Sequence, residues 1–318
     1  MRQVDRLIYA SVSQVEGSVL DEMRRIRDHA VRNNEPHGLR VALLHMGGHF
    51  VEWIEGPAQA IDDLMGRVTR DWRHRSVKVI HRSTGQSRLK RPWIGAIVQA
   101  TEGSGDFDAR LNALQRRHEA GDAIEPARVW LNLCSPPAFD MPSAGEDFTR
   151  VMMLSSHRTD AFDLLQWLAE AYGRRLVRRR FAASAEDVPD VGSDYLDLPG
   201  LGHSGTRLIA HARRGLAMGV AHAFIPDHEA VALLLDEDAE ANVRLVDKLL
   251  GVCSEVKHEP VIIGIGSRAA VSDGLQRRVQ AEGLSWVDLT CDWQRPRPSD
   301  VWALLEPVLD RLGRQAVG

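Results

Sequence analysis

The feature that most constrains this chain is a change in how its apolar residues repeat. Up to about residue 98, short alternating runs are interrupted by two helical stripes; from Phe148 onward, apolar runs alternate with helix-like segments. Strict alternation buries one face of a strand. Continuous apolar runs separated by helices suit a mostly parallel sheet covered on both faces. A chain of 318 residues also exceeds what one core usually organises, roughly 100–200 residues per domain being the norm. The expected fold class is therefore α+β followed by α/β. The divisions are residues 1–100, a trailing helix and linker over 101–147, and a second domain over 148–318.

In the first stretch, residues 3–13 alternate as a strand. Ser18 and Asp21 have capping-box spacing, and Leu20, Met23, Ile26 and Ala30 continue as a helical stripe up to Asn33-Asn34. Leu39–His45 and Phe50–Ile54 read as strands joined through Gly47-Gly48, a hairpin signal. Ala58–Trp72 is a second helix with Ile61, Leu64, Met65, Val68 and Trp72 on its apolar side, and Val77–Ile80 and Trp93–Val98 are further strands. The order βαββαββ places two amphipathic helices on one face of a mixed sheet, a ferredoxin-like layer.

Three stretches of this part form a specific pattern. They are Leu7-Ile8-Tyr9-Ala10-Ser11, the pair Asn33-Asn34, and His49-Phe50-Val51-Glu52-Trp53-Ile54-Glu55-Gly56-Pro57; Asp71, Arg73 and His74 add a D-x-R-H motif. Over nearly all of residues 4–98 this resembles the BLUF domain, a flavin-binding blue-light sensor. The resemblance implies that Tyr9 is the tyrosine that donates to an excited flavin. It also implies that Asn34 hydrogen-bonds the flavin ring, that Trp93 is the tryptophan of the last strand, and that FAD is the cofactor. A trailing helix near 109–120 that transmits signal, and self-association into a homodimer, follow from the same resemblance.

Departures from the family pattern cluster on the flavin site. Where the family carries glutamine the chain has Glu52, which alternation puts on the helix-covered face with Phe50 and Ile54. Glutamine donates and accepts at once, whereas an ionised carboxylate only accepts. Burial would raise its pKa or open the pocket to water. The family's Thr-Gly is Arg40-Val41 here, and Gly95 stands where a methionine is expected. The candidate flavin residues are thus Tyr9, Asn34, Arg40, Glu52 and Trp93. Read structurally, Tyr9 and Trp93 are core aromatics, Glu52 is a buried carboxylate paired with Tyr9 or Arg40, and Asn34 is a helix C-cap. His74 is expected to close the second helix electrostatically.

Within 148–316, strands are expected at Val151–Ser155, Leu176–Phe181, Tyr195–Leu198, His222–Pro226, Val261–Gly266 and Trp286–Leu289. Helices are expected at Asp160–Tyr172 and Val301–Leu312. The layout resembles a small GTPase of the MglA or Ras-like sort, a doubly wound fold. Asp197-Leu198-Pro199-Gly200 matches its D-x-x-G switch pattern, so Asp197 and Gly200 are the nucleotide candidates. The phosphate loop is missing, however: after the first strand the chain reads Ser155-Ser156-His157-Arg158-Thr159-Asp160, without glycine or lysine. Ser267-Arg268-Ala269-Ala270 stands in place of N-K-x-D. Lacking that cradle, phosphoryl transfer loses its positioning and charge stabilisation, and the expectation is a pseudo-GTPase that is not an enzyme. A flavodoxin- or receiver-type domain is the other doubly wound option. Asp227, His228 and Glu229 are expected on a strand-to-helix turn rather than around a metal, and His203 in a loop.

Composition sets further limits. The 40 Lys and Arg against 44 Asp and Glu give a net charge of −4, which argues against a nucleic-acid partner. The run Arg178-Arg179-Arg180 reads as a solvated strand edge. Cys134, Cys253 and Cys291 lie far apart with no CxxC, supporting neither a disulfide framework nor a zinc site. No apolar run near eighteen residues occurs, so the expectation is a cytoplasmic protein without a membrane span. Function is expected to be regulatory, by binding another signalling protein. A working FAD photoreceptor and a nucleotide-binding switch are the alternatives.

Overall fold

The structure is a computed structural model that describes residues 3–89, 92–99, 104–135, 148–156, 160–183, 191–212, 228–267, 273–291 and 297–315. In chain order the elements begin β1 (Gln3–Ser13), α1 (Val19–Asn34), β2 (Arg40–Met46), β3 (His49–Gly56), α2 (Ala58–Val68), β4 (His74–Gln86), β5 (Trp93–Gln99), α3 (Ser104–Glu119) and α4 (Pro126–Cys134). They continue with β6 (Thr149–Ser155), α5 (Asp160–Ala171), β7 (Leu176–Ala183), β8 (Val191–Leu198), β9 (Thr206–His211), β10 (Ala230–Leu234), α6 (Ala239–Val256), β11 (Val261–Ser267), α7 (Asp273–Ala281), β12 (Trp286–Cys291) and α8 (Pro298–Gln315). Two compact units result: Met1–Pro136 with Arg179–Val191, and Pro137–Arg178 with Gly192–Gly318.

In the first unit β3 pairs antiparallel with β1 and with β2, β1 pairs antiparallel with β4, and β2 pairs parallel with β5. The βαββαββ order is as the patterning implies. Gly47 and Gly48, with φ of 56° and 75°, form the tight β2–β3 turn. Ser18 caps α1 by accepting from the Asp21 amide at 3.2 Å. One sheet face carries Leu7, Tyr9, Val41, Leu43, Phe50 and Ile54, which pack with Met23 of α1 and with Ile61, Leu64 and Val68 of α2. On the opposite face Trp53 meets Trp130 of α4 at 5.9 Å between ring centroids, and Lys78 reaches Asp108 of α3 at 3.0 Å. This second face is covered by α3 and α4, two helices where the sequence suggests one.

Two expectations fail here. Helix α2 ends at Val68, and Trp72 is 69% exposed rather than part of its stripe. Thr69 closes the last turn through its hydroxyl to the Gly66 carbonyl at 3.3 Å, so the chain leaves the helix before Trp72. Of the arginine run, Arg178 is exposed as expected, but Arg179 is not at a solvated edge. Arg179 is 1% exposed with its guanidinium 2.8 Å from the Met46 sulfur, and Arg178 faces Asp194 at 3.4 Å. The cause is topological: the end of β7 adds to the first unit as an antiparallel strand beside β5, with Val98 opposite Phe181.

In the second unit β9, β6, β10, β11 and β12 are mutually parallel neighbours, and β8 is antiparallel to β9. Leaving β7 aside and counting from β6, the order is 2-3-1-4-5-6. Among the described strands that is neither the 3-2-1-4-5-6 nor the 2-1-3-4-5 doubly wound order. Val151, Met153, Leu208 and Ala232 pack with α5 and α8 on one face; Met152, Leu154, Val231 and Ile262 pack with α6 and α7 on the other. Strands β9 and β10 were not expected. Strand β10 is built from Ala and Leu, good helix formers, and only its burial on both faces makes it a strand. The strand expected at 222–226 lies outside the described residues, as do 157–159 and 268–270.

Candidate functional site

The candidate site lies on the helix-covered face of the first unit. Register sets Tyr9 opposite Glu52 across β1 and β3, and Leu43 opposite Glu52 across β2 and β3. Alternation therefore points Tyr9, Glu52, Phe50 and Ile54 toward α1 and α2. The Tyr9 hydroxyl donates to a Glu52 carboxylate oxygen in a short hydrogen bond. Both side chains are buried, Tyr9 at 0% and Glu52 at 7% exposure. Burial raises the Glu52 pKa to about 7, with the Tyr9 hydrogen bond pulling the other way. The Tyr9 phenol is pushed up by burial and then by the Glu52 charge, so the phenol keeps its proton.

A second polar pair lies along the same face. Ser11 Oγ and His74 Nδ1 are 2.8 Å apart, and the His74 ring sits 5.0 Å from Phe50 and 6.3 Å from Tyr9. His74 opens β4 and does not close α2. His45, 5.2 Å from Phe50, is held down to about 4 by burial, and burial lowers His74 as well. Burial thus disfavours the charged form of both imidazoles. Asn34 is buried at the end of α1 in a right-handed conformation, without a side-chain cap. The left-handed position falls to Gly38 (φ 71°) instead, so the C-cap role does not belong to Asn34. No hydrogen bond reaches the Asn34 amide among the described residues.

Arg40 is not in the pocket. It is exposed, and its guanidinium donates to the Leu89 carbonyl at 2.7 Å. Of the two expected partners for Glu52, the structure brings only Tyr9. Trp93 is turned inward: a Cβ on Gly95 would lie 1.9 Å from its indole ring. The indole packs against both the Tyr9–Ile54–Leu64 cluster and the Met23–Leu43–Phe50 cluster, and its Nε1 is buried without a partner. Gly95 replaces a side chain with room, and Trp93 takes that room.

The motif residues also build the frame. One Glu55 carboxylate oxygen accepts from Ser87 Oγ (2.8 Å) and from the amides of Arg88 (2.8 Å) and Leu89 (2.9 Å), fixing the loop that leads to Trp93. Arg73 is clamped by Asp71 and bonds Glu22 of α1 at 2.8 Å, tying the turn before β4 to the first helix. Sequence reasoning placed these residues in motifs but gave them no such roles; the signal was the pairing of buried acids with turn residues.

In the second unit the nucleotide candidates lie away from the carboxyl ends of the parallel strands. Leu198 pairs with Thr206, at the N-terminal end of β9, which itself aligns with Thr149 at the start of β6. Asp197 and Gly200 are therefore at the N-terminal end of the parallel strands, whereas ligands of such sheets bind beyond the carboxyl ends. Asp197 forms a buried two-point ion pair with Arg207 at 2.7 and 2.8 Å. The turn after it docks on α8 through the Gly202 amide to Asp310 at 3.1 Å. At the carboxyl end of β6, Ser155 Oγ accepts the Ala161 amide at 2.8 Å, capping α5, and Ser156 bonds Leu234 and Asp236. His203 is an exposed loop residue, as expected. His228 and Glu229 precede β10 instead of starting a helix, and Glu229 accepts the Arg150 amide at 2.6 Å. Asp227 lies outside the described residues. Among those described, no group of three or more His, Cys, Asp or Glu could hold a metal, and no helix is long and apolar enough to cross a membrane. Cys134 and Cys253 are free and buried, and burial raises both thiols.

The first unit is thus a sheet with two helices on one face, enclosing a tyrosine and an acid-bearing β3. Residues 4–94 match the BLUF family, described as sensors of blue-light using FAD, and form a BLUF domain. The chain is 34% identical over 96 residues to photoactivated adenylate cyclase subunit beta of Euglena gracilis, spanning 30% of this chain and only 11% of that protein. Among solved structures it is similar to BlrB in the dark state (22% identity, 37% of this chain and 86% of that one, TM-score 0.28). It is also similar to BlsA in the ground state (17%, 41% and 87%, TM-score 0.31). A bacterial light-regulated adenylyl cyclase matches at 16% identity over 80% of this chain and 66% of that one, with a TM-score of 0.28.

FAD is the cofactor that this family implies. The open, buried Asn34 amide suits a flavin ring edge. The rest of the slot does not: the Trp93 indole lies between the two helix clusters, and Tyr9 and Glu52 satisfy one another. In this arrangement the residues do not fit a planar three-ring system.

Proposed function

We propose that this chain is a regulatory signalling protein. Its BLUF domain acts on a non-catalytic, GTPase-like unit, and the output is binding to another protein. The carrying observation is the closed Tyr9–Glu52 pair. At the position where the family's glutamine both donates and accepts, this chain has a buried acid held by one tyrosine. The 2-3-1-4-5-6 strand order supports the GTPase-like layout. The internally satisfied Ser155 and Ser156, and the position of Asp197, favour loss of nucleotide chemistry. Calorimetry with GTP, GDP and ATP is expected to give no heat; heat with any of them would replace this reading with a nucleotide switch.

A second reading, an FAD photoreceptor, is favoured by the unpartnered Asn34 amide. The visible spectrum of freshly purified protein, before and after FAD and then under blue light, separates the two. The expected outcome is no flavin band that shifts on illumination, and a band that moves to the red would establish the photoreceptor instead. A homodimer, which the family resemblance suggests, would have to use a surface other than the second face of the sheet, because α3 and α4 cover it. Light scattering against the 35.4 kDa chain mass decides whether it forms.

A further inference from the structure

The reading of residues 4–94 as the sensory part leaves open what they sense when the glutamine is an acid. We propose that the buried Glu52 carboxyl is a proton-operated latch: while neutral it stays in the core beside Tyr9, and when its proton leaves to solvent the burial of the charge, which one hydrogen bond from Tyr9 offsets only in part, releases β3. This rests on that reading and names the stimulus for the same site.

The geometry supplies the argument. Glu52 is buried, and its one partner among the described residues is the Tyr9 hydroxyl. A neutral carboxyl loses less on burial than an ionised one, which has about four acceptor positions to satisfy and which burial penalises unless a cation is near. Among the described residues no free cation faces it. On the turn before β4, Arg73 is already held by Asp71 and by Glu22 of α1. On β2, burial holds His45 down to about 4 and Arg40 is turned out to Leu89; on β4, burial disfavours the charged form of His74, which is paired with Ser11 of β1. The remaining acids and bases of α1 are exposed or, like Arg27, paired at the surface with Asp28; Asp62, Asp63 and Arg67 of α2 are exposed. Strand β5 contributes Trp93 and no charge. The raised Glu52 pKa, about 7, agrees with this isolation. The next residue supplies a route outward. Trp53, fully buried on the opposite face, packs on Trp130 of α4, so any displacement of β3 at Glu52 is felt by a helix on the far side of the sheet.

The test is amide hydrogen exchange of the full chain, wild type against Glu52→Gln, at matched pH values from about 5 to about 8. Glutamine keeps the shape and the Tyr9 contact but cannot ionise. The latch requires protection of residues 49–56 in the wild type to fall relative to the variant by about tenfold per pH unit up to about pH 7, then level off. Tyr9→Phe removes a hydrogen bond that favours the charged form, so it must move the levelling point to higher pH. Equal protection of wild type and Glu52→Gln across the range overturns the latch, as does a Tyr9→Phe shift in the opposite direction. The sensory reading fails separately: a pH response in 49–56 that never reaches 104–134 leaves the latch standing but shows that nothing leaves the module.

Discussion

Glu52 shows how one atom exchange can redirect a site. Its folded pKa, about 7, lies above the ordinary value of 4.5. The raised value means that stability from the neutral form is full below about pH 4.5 and is lost as the pH rises through about 7. Across that window the loss is on the order of 3 kcal/mol. The expected outcome is that Glu52→Gln matches the wild type in urea denaturation near pH 4.5 and exceeds it by about that amount near pH 8. A difference that does not grow with pH would contradict the assignment. The identity of the residue and the face it occupies were legible from period-2 alternation alone, as was its choice of partners between Tyr9 and Arg40. Which partner it takes was not, because an arginine's direction depends on the loop it can reach, here the Leu89 carbonyl fixed in turn by Glu55.

At the scale of elements, the slot between α1 and α2 is governed by one strand. Trp93 and Gly95 lie on the same side of β5, and the indole occupies what a side chain at 95 would fill. Gly95→Ala should therefore cost about 1–3 kcal/mol, the usual penalty for forcing a packed core to move. Trp93→Ala should instead empty the slot and raise FAD uptake above the wild-type level, read as flavin absorbance retained after gel filtration. Uptake equal to that of the wild type would show that Trp93 is not what closes the site. Sequence patterning found β1, α1, the glycine hairpin and β5 because each carries a strong local signal. It overran α2 as far as Trp72, since an apolar residue at helical spacing says nothing of where the backbone turns away. It missed β10, whose Ala and Leu residues become a strand only through neighbours distant in sequence.

For the molecule as a whole, the sequence showed two kinds of layer but not that residues 179–183 join the first unit, which depends on a strand pairing with β5 that no local pattern announces. The same non-locality decides where the D-x-x-G motif lies. Its four residues are correct, yet β8 runs against β9, and that direction carries Asp197 to the end of the sheet away from any crevice at the strands' carboxyl ends. What Asp197 does instead is neutralise Arg207, whose guanidinium is also stacked 5.0 Å from the Phe148 ring and 5.9 Å from Tyr195. Asp197→Ala would leave that guanidinium buried without its carboxylate, a loss of about 3–5 kcal/mol, seen as early unfolding of the second unit in thermal melts. Replacing both partners by apolar residues, Asp197→Leu with Arg207→Met, should recover most of the loss, since an apolar pair leaves no buried charge. A nucleotide-site aspartate would behave otherwise: Asp197→Ala would then leave stability near the wild-type value and change only ligand binding. The recovery in the double variant is therefore the result that separates a structural ion pair from a relic of a switch.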